Sequence, residues 1–426
     1  MTNPTFLELD LASGEGVQLL RALASRHGHA LAEFAQYMRR LFLLRSPCAP
    51  GLSFVGGEAE PLRLPRALAY PGLLSVAGSG EILEQALASC LGEGVERLSQ
   101  IQQPNDVIRE CSYDDAAPCV MPAARDSIER LLGASAGCRP NPIAWIRGRP
   151  LAAHGELLLP ADWCLRRQPK GALAVAGAAL STGCAAGPSF EVAALRAVLE
   201  LIERDAASLW WIGGRRPRPV AADSAAMAEA VRLFGTLRQG NRDRPSWLLD
   251  ITTDLGVPCV VAVSTNASGR GLACGLAARL SLQQAAGAAV FELCQMELAI
   301  EVVAAKRRER GDGALNDIDR RHLARAGEID AAECELIHPL GAPARDPERT
   351  AGDPESELAI LQAAFARLQI EVALVDLTRA EIGIPVVCAV APELQLMPGE
   401  ANTKRLRREI AATGGGARWT KGVALM

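Results

Sequence analysis

Along this chain, apolar residues spaced as on a helix face alternate with shorter β-branched runs. Residues 16 to 44 set Val17, Leu20, Leu23, Leu31, Phe34, Met38, Leu41 and Phe42 near one helical stripe. That stripe predicts a helical N-terminal segment which docks on the rest of the chain or receives a partner, docking being the commoner use. Residues 78 to 99 read as a glycine loop, Gly78-Ser79-Gly80, running into a helix, and residues 181 to 205 repeat the design behind Ser181-Thr182-Gly183. A third helix is expected over 285 to 299, apolar on almost every side but one, behind a loop holding Gly269, Gly271 and Gly275. Lys306 to Asp312, with Gly311, reads as a helix end. A helical pattern resumes over 314 to 326, and a polar loop with Pro343 and Pro347 spans 342 to 353. An amphipathic helix is then predicted over 356 to 368 and a strand over 371 to 376. Helices alternating with strands such as the one around Val386-Val387 place the chain in the α/β class.

The polar positions of these helices change the picture. Glu93 and Glu96 lie three apart on the first helix with Arg97 behind them, and Glu200 and Glu203 repeat this with Arg204. Carboxylates so placed share a face and repel by roughly 0.2–0.5 kcal/mol. The following arginine cannot face both equally, whereas a divalent cation can, and Mg²⁺ is ordinarily held by one or two carboxylates together with phosphate oxygens. A single Glu-x-x-Glu is most often a solvated face. Its recurrence behind a second glycine-rich stretch, with Glu292 and Gln295 similarly spaced on the third helix, favours one site assembled from distant segments. Glycine loops let backbone N–H groups approach phosphate, and helix N-termini add favourable partial charge. No Gly-x-x-x-x-Gly-Lys-Ser/Thr phosphate loop is present. Gly414 to Gly416 comes closest and, lacking a helix pattern behind it, reads as a flexible tail.

Together, Gly78 to Ser99 and Ser181 to Asp205 resemble the signature of the YcaO family. Trp145 to Trp163, Asp250 to Pro258 and Asp376 to Pro392 resemble further segments of that family in the right order. The resemblance implies a single large α/β catalytic domain over 75–400, with mixed β-sheets and packed helices. An N-terminal segment, 1–74, and a C-terminal tail, 401–426, flank it. It also implies an ATP- and Mg²⁺-dependent enzyme in which a nucleophile adds to a peptide amide carbonyl and the oxyanion attacks the γ-phosphate. Loss of phosphate then leaves a heterocycle or a thioamide. By position, Glu93, Glu96, Glu200 and Glu203 hold the metal, and Glu93, Glu200, Glu203 and Arg204 carry the chemistry. Arg204 also faces the phosphates, Ser79, Gly80, Ser181, Thr182 and Gly183 line the nucleotide, and Glu292 and Gln295 close the site. Such a set suits phosphoryl transfer, which is catalysed by positioning and charge neutralisation. Four positions depart from the family: Ser79 stands where Lys is frequent, Thr182 where Asn is usual, and Ala288 and Glu297 where Arg is common.

The third helix, Glu-Leu-Cys-Gln-Met-Glu-Leu-Ala, resembles members that work with a TfuA-type partner, for which the implied product is a thioamide in a precursor peptide. The end of the chain lacks the proline-rich tail common in azoline-forming members. Azoline formation with a separate partner stands second. A nucleotide-binding accessory factor for another modification enzyme, such as a methylthiotransferase, stands third, and the retained glutamates weigh against it. A second copy of the chain is a further candidate partner.

Composition narrows this little. Of the 426 residues, 49% are hydrophobic and 22% charged, ordinary for a globular chain, and the formal net charge of −4 gives no electrostatic case for nucleic acid or an anionic membrane. The 12 cysteines are scattered with no Cys-x-x-Cys, so they read as buried thiols in a reducing compartment. Cys184, inside the strongest motif, occupies a position that is usually apolar in relatives and reads as packing. His27, His29, His154, His322 and His338 show no zinc spacing. The first residues lack a signal-peptide pattern, and the apolar stretches 171–180 and 257–263 are too short to span a bilayer, so the expected location is cytoplasmic.

Overall fold

A computed structural model describes residues 5–64, 72–134, 142–152, 155–167, 181–346, 352–396 and 402–425. His154, Pro347 and the apolar stretch 171–180 lie outside the described residues. The first sheet runs in the order β1 (Thr5–Glu8), β2 (Met38–Arg45), β3 (Ser53–Ala59), β4 (Leu74–Gly80), all antiparallel. Helices α1 (Gly14–His27) and α2 (His29–Phe34) end the helical pattern at Phe34, so 38–45, read as helix from the stripe, is a strand. Pairing with β3 overrides the weak local period: Leu41 and Phe42 stand opposite Gly57 and Gly56, where no Cβ obstructs their side chains. Leu23, Phe34, Met38 and Leu41 are buried in one core with Leu87, Leu91 and Val95 of α3 (Leu83–Ser99). The N-terminal segment therefore docks, and residue 74 opens a strand shared with the first glutamate motif rather than ending a separate unit.

The second sheet has the order β5-β6-β13-β14-β8, with β7 also paired to β6. Its strands are β5 (Ile108–Cys111), β6 (Ile143–Pro150), β7 (Leu157–Pro160), β8 (Cys184–Ala186), β13 (Ala373–Asp376) and β14 (Val386–Val390). The third comprises β9 (Arg218–Pro219), β10 (Ser246–Asp250), β11 (Cys259–Ser264) and β12 (Ala273–Ala278), in the order β12-β11-β10-β9. Three short helices, α4 (Tyr113–Ala116), α5 (Pro122–Ala134) and α6 (Ala161–Cys164), precede α7 (Phe190–Trp211). After it come α8 (Ala225–Arg238), α9 (Leu282–Arg310), α10 (Asp317–Glu328) and α11 (Pro354–Arg367). The last two are α12 (Lys404–Thr413) and α13 (Ala417–Thr420).

Helix α7 is the internal support of the site. Ser189 caps its first turn by accepting from the Val192 N–H at 3.3 Å, and the helix packs on β8, β14, β12 and α11. Trp210 and Trp211 anchor its last turn by donating to the Leu336 and Val423 carbonyls, each at 2.7 Å. Strand β11 is covered on both faces: Val261 and Val263 join the α7 core, and Val260 and Ala262 join the core with α8 and α9. That explains its unbroken apolar run. The glycines at 414–416 are not a flexible tail. Gly416 N–H donates to the Ile212 carbonyl at 2.8 Å, and a Cβ there would sit 1.9 Å from the Trp211 oxygen, so the stretch closes tightly over the end of α7. Among the described residues, no helix is long and apolar enough to cross a membrane.

Candidate active site

The Gly78-Ser79-Gly80 stretch, expected as a loop at phosphate, is the end of strand β4, and its glycines serve packing. A Cβ at Gly78 would meet Cys90 N at 2.2 Å and Ala86 O at 2.3 Å, so only glycine lets α3 lie this close to the strand. The loop expected from Gly269 to Leu276 likewise splits: Gly269 and Gly271 turn with φ of 76° and 71°, while Gly275 lies in β12. Gly275 repeats the packing of Gly78, for its Cβ would meet Leu293 N at 2.1 Å and Ala289 O at 2.3 Å in α9. Gly183 does need its backbone freedom, at φ 80°, and a Cβ there would lie 2.6 Å from the Ala389 oxygen.

Helix carboxylates here meet backbone N–H groups of strands and, at Gly183, of the turn before β8. Glu93 accepts from Ala77 at 2.7 Å and Glu292 from Leu276 at 3.0 Å, each across 16 residues, so β4–α3 and β12–α9 are built alike. Glu200 accepts from Gly183 at 3.0 Å, Glu96 from Ala186 at 2.9 Å and Glu203 from Ala278 at 3.2 Å. Five glutamates from three helices are thus each oriented by one backbone donor. Arg97 pairs with Glu93, and Arg204 reaches Glu200 at 3.4 Å and Glu203 at 3.6 Å. Ser79 Oγ donates to Gln295 Oε1 at 3.2 Å and ties β4 to α9, while Gly80 packs against Gln85 and Ala86. Ser181 and Thr182 form the bend leading into Gly183, and Ser181 is exposed.

Burial sets the electrostatics of three of these carboxyls. Burial, reinforced by Glu200 and Glu93, pushes the Glu96 carboxyl up to about 8 despite the Ala186 N–H. Burial likewise pushes Glu200 and Glu292 up to about 7, with Glu203 adding repulsion to both. Burial works against the Arg204 charge, but Glu203, Glu200 and Glu292 outweigh it and hold the guanidinium above its ordinary range. The side chains of Glu200 and Glu203 retain 27% and 11% exposure, which leaves a face open to a ligand. Among the described residues, no three acidic, histidine or cysteine groups converge into a ready-made cation cage.

Sequence reasoning missed Arg196 and Arg279. Arg196 lies one helical turn before Glu200, a spacing visible in the sequence, and its charge acts on Glu96. Arg279 directly follows β12 and acts on Glu292, a proximity that only the fold creates. A cavity of about 670 Å³ opens between α8, α9 and α11, lined by Glu81, Arg232, Ala288, Phe291 and Glu357 among others. None of the five glutamates lines it. Cys184 is buried opposite Cys388, and burial with the Cys388 charge drives its thiol far above the ordinary value, consistent with packing.

The family model for YcaO cyclodehydratase, ATP- and Mg²⁺-binding, matches residues 77–395, 319 of the 426. An uncharacterised protein in the tfuA 3′ region of Rhizobium leguminosarum bv. trifolii is 29% identical over 188 residues, 44% of each chain. A heterocyclase solved in complex with substrate and cofactor matches with a TM-score of 0.70 at 21% identity, over 93% of this chain and 55% of its own. This chain thus spans about half the length of that heterocyclase. The YcaO of Methanopyrus kandleri, solved with AMPPCP and Mg²⁺, matches with a TM-score of 0.59 at 20% identity, over 89% of this chain and 90% of its own. These structural likenesses establish the shared fold, and the family match over three quarters of the sequence establishes descent. The protein belongs to the YcaO family of ATP- and Mg²⁺-binding proteins.

Proposed function

We propose that this protein uses ATP and Mg²⁺ to phosphorylate the oxygen of a peptide backbone amide, and that the product is a thioamide made with a sulfide donor and a TfuA-type partner. The observation that carries this reading is the set of five glutamates on three helices, each oriented by one backbone N–H, four from strands and one from the turn before β8. In it, Glu93 and Glu96 from α3 and Glu200 and Glu203 from α7 hold Mg²⁺, which when bound neutralises charge on the phosphates. Arg204, fixed by Glu200 and Glu203, presents its guanidinium to the same phosphates. Ser181, Thr182 and Gly183 line the nucleotide, and Glu292 and Gln295 close the site from α9. The cavity lined by Phe291 has room for the peptide segment that brings the amide. The protein supplies no attacking side chain: the sulfide adds to the carbonyl carbon, the oxygen leaves as phosphate, and ATP becomes ADP.

The thioamide assignment draws on the α9 sequence from Glu292 to Ala299 and on the likeness to a protein encoded beside tfuA. The fold shared with a substrate-bound heterocyclase supports azoline formation as the second reading. A cytoplasmic setting fits the free thiols of the described cysteines. The test is mass spectrometry of a precursor peptide incubated with this protein, a TfuA-type protein, ATP, Mg²⁺ and sulfide. Replacement of oxygen by sulfur is the expected result. Loss of water would move the assignment to azoline formation, and an unchanged peptide with no ATP consumed would refute both in favour of an accessory role.

A further inference from the structure

Strands β8 and β14 set two cysteines directly opposite each other, Cys184 facing Cys388 in an antiparallel register. The neighbouring pair is hydrogen-bonded, for the Ala389 N–H donates to the Gly183 carbonyl at 2.7 Å, and Gly187 donates to the Pro385 carbonyl at 3.0 Å further along. The Cys184 N–H turns away from β14, to the Ser181 carbonyl at 3.0 Å. Hydrogen-bonded pairs alternate along such a ladder, so Cys184 and Cys388 form a non-hydrogen-bonded pair, where Cα atoms stand about 4.5 Å apart and side chains are closest. Both side chains point into one core, with 3% and 2% exposure, while Ala185, Val387 and Ala389 point into another. A disulfide accepts Cα separations of about 4.4–6.8 Å, which this pair meets while both cysteines are free.

The pair adjoins the glutamate site through the backbone. Gly183, one residue before Cys184, donates to Glu200, and Ala186, two residues after it, donates to Glu96. The Cys184 thiol itself donates to the Glu96 carbonyl at 3.9 Å. Opposed Cβ atoms stand about 4.5–5.5 Å apart, closer at such a position, whereas a disulfide holds them at about 3.5–4.5 Å. Closing the bond therefore draws β8 toward β14 and takes the thiol hydrogen from the Glu96 carbonyl. Strand β8 is three residues long and lies at the edge of its sheet, so it is the strand that yields.

We propose that Cys184 and Cys388 are a redox-responsive pair, which a peroxide converts to a cross-strand disulfide that displaces the Gly183 and Ala186 donors and weakens Mg²⁺-nucleotide binding. The effect on nucleotide rests on the ATP reading of the glutamate site; the bond itself does not. One sulfur, as thiolate, attacks a peroxide oxygen, and cleavage of the O–O bond leaves a sulfenic acid and one water. The second thiol displaces the sulfenic hydroxyl as another water, so two thiols and one hydrogen peroxide give one disulfide and two waters. Burial keeps the Cys184 thiol protonated, which makes the reaction slow at neutral pH and reserves it for a small, uncharged oxidant. Cys164, hydrogen-bonded to Cys388 in the same core, is the competing partner, but it lies on α6, outside the ladder.

The experiment treats the reduced full chain with hydrogen peroxide, blocks remaining thiols with iodoacetamide in denaturant, and digests with trypsin. Cleavage after Lys170, Arg196, Arg379 and Lys404 puts Cys184 and Cys388 in separate peptides with no other cysteine. The expected product is these two peptides joined, two hydrogens lighter than their sum and separated by dithiothreitol. Cys119, which is exposed, reports that the peroxide has acted. Calorimetry with Mg²⁺-ATP should show affinity at least about threefold lower in the oxidised protein, restored by dithiothreitol and insensitive to peroxide in Cys184→Ser and Cys388→Ser. Both thiols recovered alkylated while Cys119 is oxidised, or a bond from Cys164 to Cys388 in their place, would overturn the pair. Unchanged affinity in protein that carries the bond would overturn its coupling to the site. If the reduced wild type bound no Mg²⁺-ATP, the nucleotide reading would fail, and the joined peptides would still establish the disulfide.

Discussion

Binding of Mg²⁺-nucleotide should expel protons from this protein. The perturbation is titration at pH 7 with nucleotide already saturated in Mg²⁺, so that released protons come from the protein. Burial holds Glu96 at about 8 and Glu200 and Glu292 at about 7. At pH 7 Glu96 is then roughly nine-tenths protonated and the other two roughly half, which places roughly two protons on the empty site. Metal-binding carboxylates must be ionised, so occupancy drives these protons off. The release should be roughly one to two protons at pH 7 and close to none at pH 9, where the site is already ionised. Affinity should correspondingly rise with pH between about 5.5 and 8. Calorimetry in buffers of different ionisation enthalpy reads the number from the slope of observed heat against buffer enthalpy. Tight binding at pH 7 with zero slope, or with proton uptake, would refute the reasoning that these carboxyls are protonated for want of a cation.

The same shifts fix the sign of the stability profile. Because the native pKa values lie above those of the unfolded chain, the native state holds protons that the unfolded state has lost between about pH 4.5 and 8, so stability falls as pH rises through that window. The thermal midpoint of the nucleotide-free protein should fall from pH 5 to 8 and recover with Mg²⁺-ATP; a flat profile would contradict the assignment. Gly78→Ala and Gly275→Ala each put a Cβ about 2 Å from helix backbone and should cost about 1–3 kcal/mol in denaturant unfolding while weakening nucleotide binding; wild-type midpoints would show that the close helix–strand contact is not needed. Arg405→Ala removes the partner of Asp205, fully buried one residue beyond Arg204, and should cost about 3–5 kcal/mol, while a loss below about 1 kcal/mol would mean that the pair does not brace α7. Cys184→Ala should bind ATP as the wild type does, and abolished binding in a folded variant would restore a role for its sulfur.

What the sequence made legible was local. The helical period placed α3, α7, α9, α10 and α11 because apolar spacing reports burial directly, and Glu-x-x-Glu exposed the acidic faces. The strand at 38–45 was not legible, since its partners in β3 lie 12 to 21 residues away and its apolar residues also fit a helical stripe. Gly78 and Gly275 misled for a chemical reason: a glycine that admits a phosphate and one that admits a helix backbone look the same in a sequence. Gly414 to Gly416 likewise read as loose because Trp211 and Ile212, against which they close, are 200 residues distant. Arg196 could have been found from its spacing to Glu200. Arg279 could not, because its charge acts on Glu292 only through the placement of the end of β12 against α9.

The most direct test of the central claim is Mg²⁺-dependent ATP binding measured by calorimetry on the wild type and on the Glu200→Gln, Glu203→Gln double variant. Binding that requires Mg²⁺ is expected in the wild type, with its loss in a double variant that remains folded. Unchanged binding in that variant, or none in the wild type, would contradict the placement of the nucleotide at the α3, α7 and α9 carboxylates.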